Sequence, residues 1–167
     1  MTFILTADRD DDTRDGYAEY QAYLAANEHR FPRGAYALAT SEWYFRFSPP
    51  GAPHDAWLEE VVITEPARGK RKHRRTVSIR IRLLAGNHDG HIELTYPRVF
   101  AYRLDLHHGG EGHRDWRYDE FRLTDDGHLL HEIEWWAGDE TGTWLIEADD
   151  VRHRWIPLPE ADVRIPR

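Results

Sequence analysis

Hydrophobic and polar residues alternate over most of the chain after residue 41, and this period of two limits the fold more than any other feature. The clearest example is Val77 to Leu83, in which every second residue is apolar and Ser78, Arg80 and Arg82 lie between. Such alternation is typical of a strand with one buried face and one polar face. We therefore expect a mainly β structure in this part of the chain.

Similar patterns predict further strands, which bring the expected total to about eight or nine. They cover residues 43–47, 57–64, 91–96, 99–106, 116–123, 128–136, 143–148 and 151–157. Short turn sequences, such as Asn87 to Gly90 and Asp125 to Gly127, separate several of them. Connections this short allow antiparallel neighbours and leave no room for a βαβ crossover.

The N-terminal part of the chain has a different period. Tyr17 to Glu28 carries apolar residues on one stripe at helical spacing, and the acids within residues 8–15 favour the positive end of a helix. We predict a helix over residues 13–28 that ends before Pro32, because proline interrupts helices. A short second helical turn is expected over residues 35–40.

These elements together predict a single α+β domain over residues 1–167. The helix would cover one opening of a predominantly antiparallel β region at residues 43–157, strongly twisted or closed into a barrel. Residues 158–167 are expected to form a C-terminal tail. A chain of 167 residues is long enough to bury a substantial core.

The composition excludes several classes of protein. The chain has no cysteine, so it cannot form a disulfide, a thiolate zinc site or an iron–sulfur cluster. No apolar run approaches the roughly 20 residues that span a bilayer, and the N-terminus lacks the features of a signal peptide. We expect a cytoplasmic protein that does not enter a membrane, and the excess of arginine over lysine suggests a bacterial source.

Sequence motifs of common enzymes are absent. There is no GxSxG nucleophile motif, and the glycine-rich loop near residue 110 matches neither GxGxxG nor GxxxxGK[ST]. Carboxylates are plentiful, but no spacing distinguishes one pair for acid–base work or for Mg²⁺. We therefore predict no catalytic residues and no cofactor, and we favour a non-enzymatic protein.

The eleven histidines support an alternative. Metal ligation needs three or four groups that converge in space. Five residues in or near loops could do this, namely His88, His91, His107, His113 and Asp115. If they converge, the alternative expectation is a β-barrel that binds a small ligand or a metal, with metal-dependent phosphoester hydrolysis as the activity that such a site would support. His131 is different, because it shares a strand face with Leu129 and Ile133, and we expect it to be a hydrogen-bonded core residue.

The adjacent Trp135 and Trp136 must point to opposite faces of their strand. An exposed tryptophan ringed by polar groups is typical of the most energetically important residues in protein interfaces. We therefore predict a docking surface for a basic protein partner, made of one or both tryptophans together with Glu132, Glu134 and Glu147.

The sharpest local feature is a basic run with six formal positive charges, carried by Arg68, Lys70, Arg71, Lys72, Arg74 and Arg75. It is expected to be a long exposed hairpin loop that could bind phosphates or the acidic face of a second copy in a homodimer. Without these six residues, 16 basic residues face 30 acidic ones, a formal charge of −14. Such a charge repels a polyanion and argues against nucleic acid as the partner.

Five segments carry a resemblance to known proteins: HDAWLEEVVI at residues 54–63, HIELTYPRVF at 91–100, DEF at 119–121, GHLLHEIEW at 127–135 and WLIEADDV at 144–151. Over residues 54–151 the chain resembles small β-rich bacterial proteins of unassigned function, some of which are immunity proteins that neutralise a toxin from the same organism. The resemblance implies an inhibitor of a protein partner and supplies no catalytic residues. An acidic inhibitor would suit a basic toxin, because opposite charges speed the encounter.

Overall fold

The computed structural model describes residues 2–5, 16–68, 70–106, 112–136, 138 and 141–159. Helix α1 covers Gly16–Asn27, a 3-10 turn follows at Glu28–Arg30, and helix α2 covers Arg33–Ala39. Both predicted helical segments are therefore present. The predicted helix start at residues 13–15 and the end of the predicted tail at 160–167 lie outside the described residues.

Nine strands follow within the described part of the chain. They are β1 (Trp57–Thr64), β2 (Ala67–Arg68), β3 (Arg71–Arg75), β4 (Val77–Leu84), β5 (Gly90–Leu104), β6 (Asp115–Leu123), β7 (Leu129–Trp136), β8 (Thr141–Ala148) and β9 (Arg152–Pro157). Seven of them form one antiparallel sheet in the order β4-β1-β6-β7-β8-β5-β9, and β2 pairs only with β3 in a separate ribbon. The predicted α+β class is confirmed, whereas a main sheet of eight or nine strands was slightly too large.

The large sheet closes into a ring. Strand β4 pairs with both β1 and β5, and β1 meets β6 through one residue pair, Trp57 with Asp115. The long strand β5 pairs with β9 along its first part and with β8 along its second part. Ring closure leaves few unpaired strand edges, which is one way in which β proteins avoid edge-to-edge aggregation.

Three details of the predicted strands were wrong. Residues 43–47 form turns and a bend, because the consecutive residues Trp43, Tyr44 and Phe45 all pack against the core, which strand alternation does not allow. The strands predicted at 91–96 and 99–106 are one strand, in which Pro97 falls at a shift of register where proline is tolerated. The basic run at 68–75, expected as a loop, is largely the β2–β3 ribbon.

Large apolar side chains fill the inside of the ring. Ile81 from β4, Leu94 from β5, Ile133 from β7 and Ile146 from β8 have no exposed surface, and Trp144 is almost as deeply buried. Each contributes roughly 1.5–3 kcal/mol through its transfer out of water. The interior is therefore a packed core, which also holds a few polar side chains.

Helix α1 covers the part of β6 that lies beyond its single pair with β1. The Tyr20 hydroxyl accepts a hydrogen bond from the Phe121 backbone N–H at 2.8 Å and donates to the Phe121 carbonyl at 3.0 Å. One turn later, the Tyr23 hydroxyl accepts from the Leu123 N–H at 2.9 Å. The two tyrosine hydroxyls thus take the place of a neighbouring strand.

Two carboxylates fasten other N-terminal segments to the sheet. Glu120 is fully buried and accepts hydrogen bonds from the backbone N–H groups of Phe3 and Ile4 at 2.9 and 2.8 Å. Asp150 accepts from Gly34 N–H at 3.0 Å at the beginning of α2. No helix among the described residues is both long enough and apolar enough to cross a bilayer.

Candidate docking face and buried polar network

Three outward-pointing side chains lie side by side across neighbouring strands. Register pairs Trp57 of β1 with Asp115 of β6, and Asp115 with Trp136 of β7. Trp57 is 49% exposed and Trp136 is 42% exposed. Because adjacent strands are about 4.8 Å apart, the two tryptophans are separated by roughly 10 Å. We call these three residues the aromatic row.

Hydrogen bonding and ring contacts hold one side of the aromatic row in place. The Trp57 indole Nε1–H donates to Asp115 Oδ1 at 2.7 Å. The His88 ring meets the Trp57 ring edge-on, with 5.0 Å between centroids. Trp57 is therefore oriented before any partner binds, which lowers the entropy lost on association.

A guanidinium group packs on the other side of the aromatic row. The Arg117 Cζ atom lies 5.6 Å from the centroid of the Trp136 ring and 5.1 Å from that of Tyr118. These distances are typical of cation–π contacts. The geometry shows that this surface accommodates an arginine side chain.

The outer surface next to the aromatic row carries more acids than bases. We define the docking face as the aromatic row together with the charged outer side chains of β6, β7 and β8 that solvent can reach: Trp57, Asp115, Arg117, Arg122, Glu132, Glu134, Trp136 and Glu147. Four carboxylates face two guanidinium groups, which gives a formal charge of −2. Arg122 is paired with Glu132, and Glu147 Oε1 lies 2.6 Å from His128 Nδ1.

Most of the predicted contact residues share this face. Register places Trp136, Glu134 and Glu132 on the same side of β7, and Glu147 of β8 is opposite Leu130 on that side. Trp135 is the exception, since it points into the core and is only 2% exposed. Its inclusion in the docking surface was wrong, because strand alternation buries one of two adjacent residues.

The interior holds a hydrogen-bonded cluster of polar side chains, which we call the buried polar network. Asp119 Oδ2 accepts from the Tyr44 hydroxyl at 2.9 Å and lies 2.9 Å from His131 Nε2. Its other oxygen accepts from Trp116 Nε1–H at 3.0 Å. The Tyr96 hydroxyl lies 2.6 Å from His131 Nδ1. All five side chains are at most 2% exposed.

One arrangement of protons satisfies the whole network. If His131 donates Nε2–H to Asp119, its Nδ1 is free to accept the Tyr96 hydroxyl proton. Burial and the Asp119 charge raise the pKa of Tyr44 and of Tyr96 well above the usual value, so both hydroxyls remain donors. His131 is thus the hydrogen-bonded core residue that the sequence predicted.

The structure does not bring together the four alternative metal ligands that lie in its described part. His91 Nε2 lies 3.0 Å from Glu59 Oε2, whereas His88 and Asp115 contact Trp57 and the His113 ring packs 4.8 Å from the centroid of Trp144. In the described part of the chain, no group of three or more histidine, aspartate or glutamate side chains could hold a metal ion. His107 lies outside the described residues.

Four residues of the docking face were not predicted from the sequence to belong to it, namely Trp57, Asp115, Arg117 and Arg122. The long sequence separation between β1 and β6 conceals the pairing that places Trp57 beside Asp115. Arg117 lies at a shift of register in β6, so simple alternation does not assign it to a face. An aromatic residue at the first position of a strand was the available signal for Trp57.

No family model matches the chain, and no curated protein or solved structure does so either. Function therefore has to be inferred from the docking face and the buried polar network.

Proposed function

We propose that this protein is a non-enzymatic binding protein whose docking face binds a basic protein partner. The observation that carries the proposal is the exposed aromatic row within an acidic surface. An immunity-type inhibitor of a toxin would have these properties, and a bacterial, cytoplasmic setting belongs to the same proposal.

The aromatic row supplies the apolar part of an interface. Trp57 and Trp136 leave much of their ring surface in water, and burial of such a ring against a partner is worth roughly 1.5–3 kcal/mol. Tryptophan and arginine are enriched among the residues that dominate binding energy. Trp136, with Arg117 packed on its ring, therefore supports the proposal more than any other position.

The charge of the docking face supports a basic partner. The face carries a formal charge of −2 and belongs to a chain with a net charge of −8. An acidic surface of this kind attracts a basic protein over several ångströms and raises the association rate, most strongly at low salt. Glu134 and Glu147 would form part of the polar rim around the tryptophans.

The buried polar network supports a structural role for the acid and the histidine that would otherwise suggest catalysis. Asp119 already accepts three hydrogen bonds, and both ring nitrogens of His131 have partners. A general base must be within hydrogen-bond reach of a substrate proton. Neither group has free hydrogen-bonding capacity directed at a substrate.

A photo-crosslinking experiment in the source cells tests the proposal. A photoreactive phenylalanine analogue would replace Trp136 in one strain and Tyr17 in a control strain, because Tyr17 on helix α1 is at least as exposed as Trp136. We expect position 136 alone to capture a protein, and that protein to be basic. Capture of an acidic protein other than a second copy of this chain, or the same products from both positions, would contradict the proposal.

The captured partner then allows a quantitative check. Trp136→Ala should weaken its binding by at least about 30-fold, which corresponds to the roughly 2 kcal/mol expected of a dominant interface residue. Glu134→Gln should slow association at low salt and have little effect at high salt. An affinity unchanged by Trp136→Ala would exclude the docking face as the binding site.

A further inference from the structure

The basic ribbon has no role in the proposed function, yet it belongs to the same hairpin as the aromatic row. We define the basic ribbon as residues 67–75, which contain β2 and β3. Strand β1 begins at Trp57 in the row and ends at Thr64, separated from the ribbon by two residues. Eight residues of extended strand span roughly 25 Å. An extended strand therefore keeps the ribbon away from the row of its own molecule.

The ribbon and the docking face are chemically complementary. The ribbon carries six formal positive charges, four of them on arginine. The aromatic row offers a carboxylate between two indole rings, and a guanidinium group prefers both carboxylates and aromatic faces. Arg117, packed on Trp136 within the same chain, is an existing example of this contact.

We propose that the aromatic row receives arginine side chains from the basic ribbon of a second copy of this chain, so that the protein self-associates. The inference rests on the proposed function, because it uses the same docking face. When two copies lie side by side in opposite directions, the ribbon of each lies near the row of the other. Two equivalent contacts then form around a two-fold axis.

Charge favours this arrangement over the other simple ones. Two docking faces placed against each other would bring together surfaces that are each formally −2, which is repulsive. A nucleic acid bound at the ribbon would meet a body whose formal charge is −14 without the ribbon. Of these three arrangements, contact between the ribbon and the row is the one that brings surfaces of opposite charge together.

The first test is the mass of the protein in solution across a salt series, measured by light scattering. We expect a dimer at about 50 mM salt, with a dissociation constant at least about tenfold higher at 500 mM, because salt screens the ion pairs. A monomer at every salt concentration would overturn the inference. A dimer insensitive to salt would also overturn it.

Matched variants locate the contact. The ribbon variant Arg71→Glu/Arg74→Glu and the row variant Asp115→Asn/Trp136→Ala should both be monomeric at low salt. The control Arg33→Glu/Arg152→Glu makes the same charge change as the ribbon variant at two exposed positions outside the ribbon and the row, and it should remain dimeric. Circular dichroism and thermal melts would establish that each variant is folded.

Mixing the two monomeric variants gives the decisive result. The ribbon variant retains an intact row, and the row variant retains an intact ribbon, so their mixture should form a heterodimer with one contact. Association of the ribbon variant with itself would indicate a row-to-row dimer and overturn the inference. So would binding of a duplex oligonucleotide by a monomeric wild-type protein, lost in the ribbon variant, because the ribbon would then bind a polyanion.

The two experiments distinguish failure of the proposed function from failure of self-association. If a basic protein is captured at position 136 while the wild type stays monomeric, the docking face is correct and self-association is wrong. If the salt-sensitive dimer forms and no other protein is captured, the inference stands, and the proposed function is reduced to binding between copies.

Discussion

The interior of the ring and its outer face use similar side chains in opposite ways. Asp119 inside and Asp115 outside each accept a hydrogen bond from an indole N–H, at 3.0 and 2.7 Å. Asp119 also bonds to Tyr44 and His131, whereas Asp115 retains a side open to solvent. The same pair of residue types is therefore part of the core in one place and accessible to solvent in the other.

The difference follows from access to water. Removing the hydrogen-bond partner of a buried polar group lowers the free energy of unfolding by about 1–3 kcal/mol, because no solvent replaces the hydrogen bond. An exposed group has water as an alternative partner, so its bonds need not be complete. Interior substitutions should consequently affect folding, and outer substitutions should affect association.

The two adjacent tryptophans give the largest expected contrast. Trp135→Ala should destabilise the protein by about 3–5 kcal/mol, because it removes a buried ring that packs against Trp116 and Trp144. Trp136→Ala should cost less than about 1 kcal/mol, the value of an exposed cation–π contact with Arg117. Urea unfolding measures both. Similar losses for both variants would show that Trp136 belongs to the core and would remove the basis for the docking face.

The buried polar network provides the next largest effect. Asp119→Asn keeps the shape of the side chain but replaces an acceptor oxygen with an NH₂ group, which would face donors from Trp116, Tyr44 or His131. We expect a loss of about 3 kcal/mol in the free energy of unfolding. Asp125→Asn, in the exposed turn between β6 and β7, is the matched control and should change stability by less than about 0.5 kcal/mol.

An intermediate effect is expected where helix α1 meets β6. Tyr20→Phe removes the hydroxyl that bonds to both backbone groups of Phe121, and we expect a loss of about 1–2 kcal/mol. Tyr17→Phe makes the same chemical change at an exposed position of the same helix and should have almost no effect. Equal results for the two variants would mean that the hydroxyl of Tyr20 does not replace a strand partner.

The parts of the fold that depend on local pattern were predictable from the sequence. Alternation from Val77 to Leu83 predicted β4, and the stripe after Tyr17 predicted α1. The burial of His131 followed from the apolar residues on its strand face. In each case, neighbours within a few residues determine the structure.

The features that depend on pairing between distant segments were not predictable. Closure of the ring rests on the pair between Trp57 and Asp115, and no local signal specifies it. The segment at residues 43–47 was predicted as a strand because aromatic residues are common in strands. In the structure it forms turns and a bend, and the Tyr44 hydroxyl donates a hydrogen bond to Asp119 inside the closed sheet. The aromatic row, and with it the candidate site, became visible only once the strands were placed.

The smallest expected effect is a dependence of stability on pH that originates in buried histidine. His54 is 7% exposed, and its ring packs 4.1 Å from the centroid of Phe47. Burial lowers the pKa of His54 below its usual value near 6.5, although Asp55 partly opposes the shift. The folded protein therefore holds His54 neutral at a pH at which the unfolded chain already binds a proton.

The sign of the effect follows from this difference in proton binding. The stability that His54 contributes is fully present above about pH 6.5 and is lost as the pH falls towards the lower pKa of the folded state. Burial also lowers the pKa of His113 and of His153, so their contributions have the same sign. The free energy of unfolding, measured by urea titration between pH 7 and pH 5, should decline towards acid. His54→Gln should reduce the slope of the free energy of unfolding against pH by the equivalent of less than one bound proton, which is at most about 1.4 kcal/mol per pH unit. An unchanged slope would show that the ring of His54 is as easily protonated in the folded protein as in the unfolded chain.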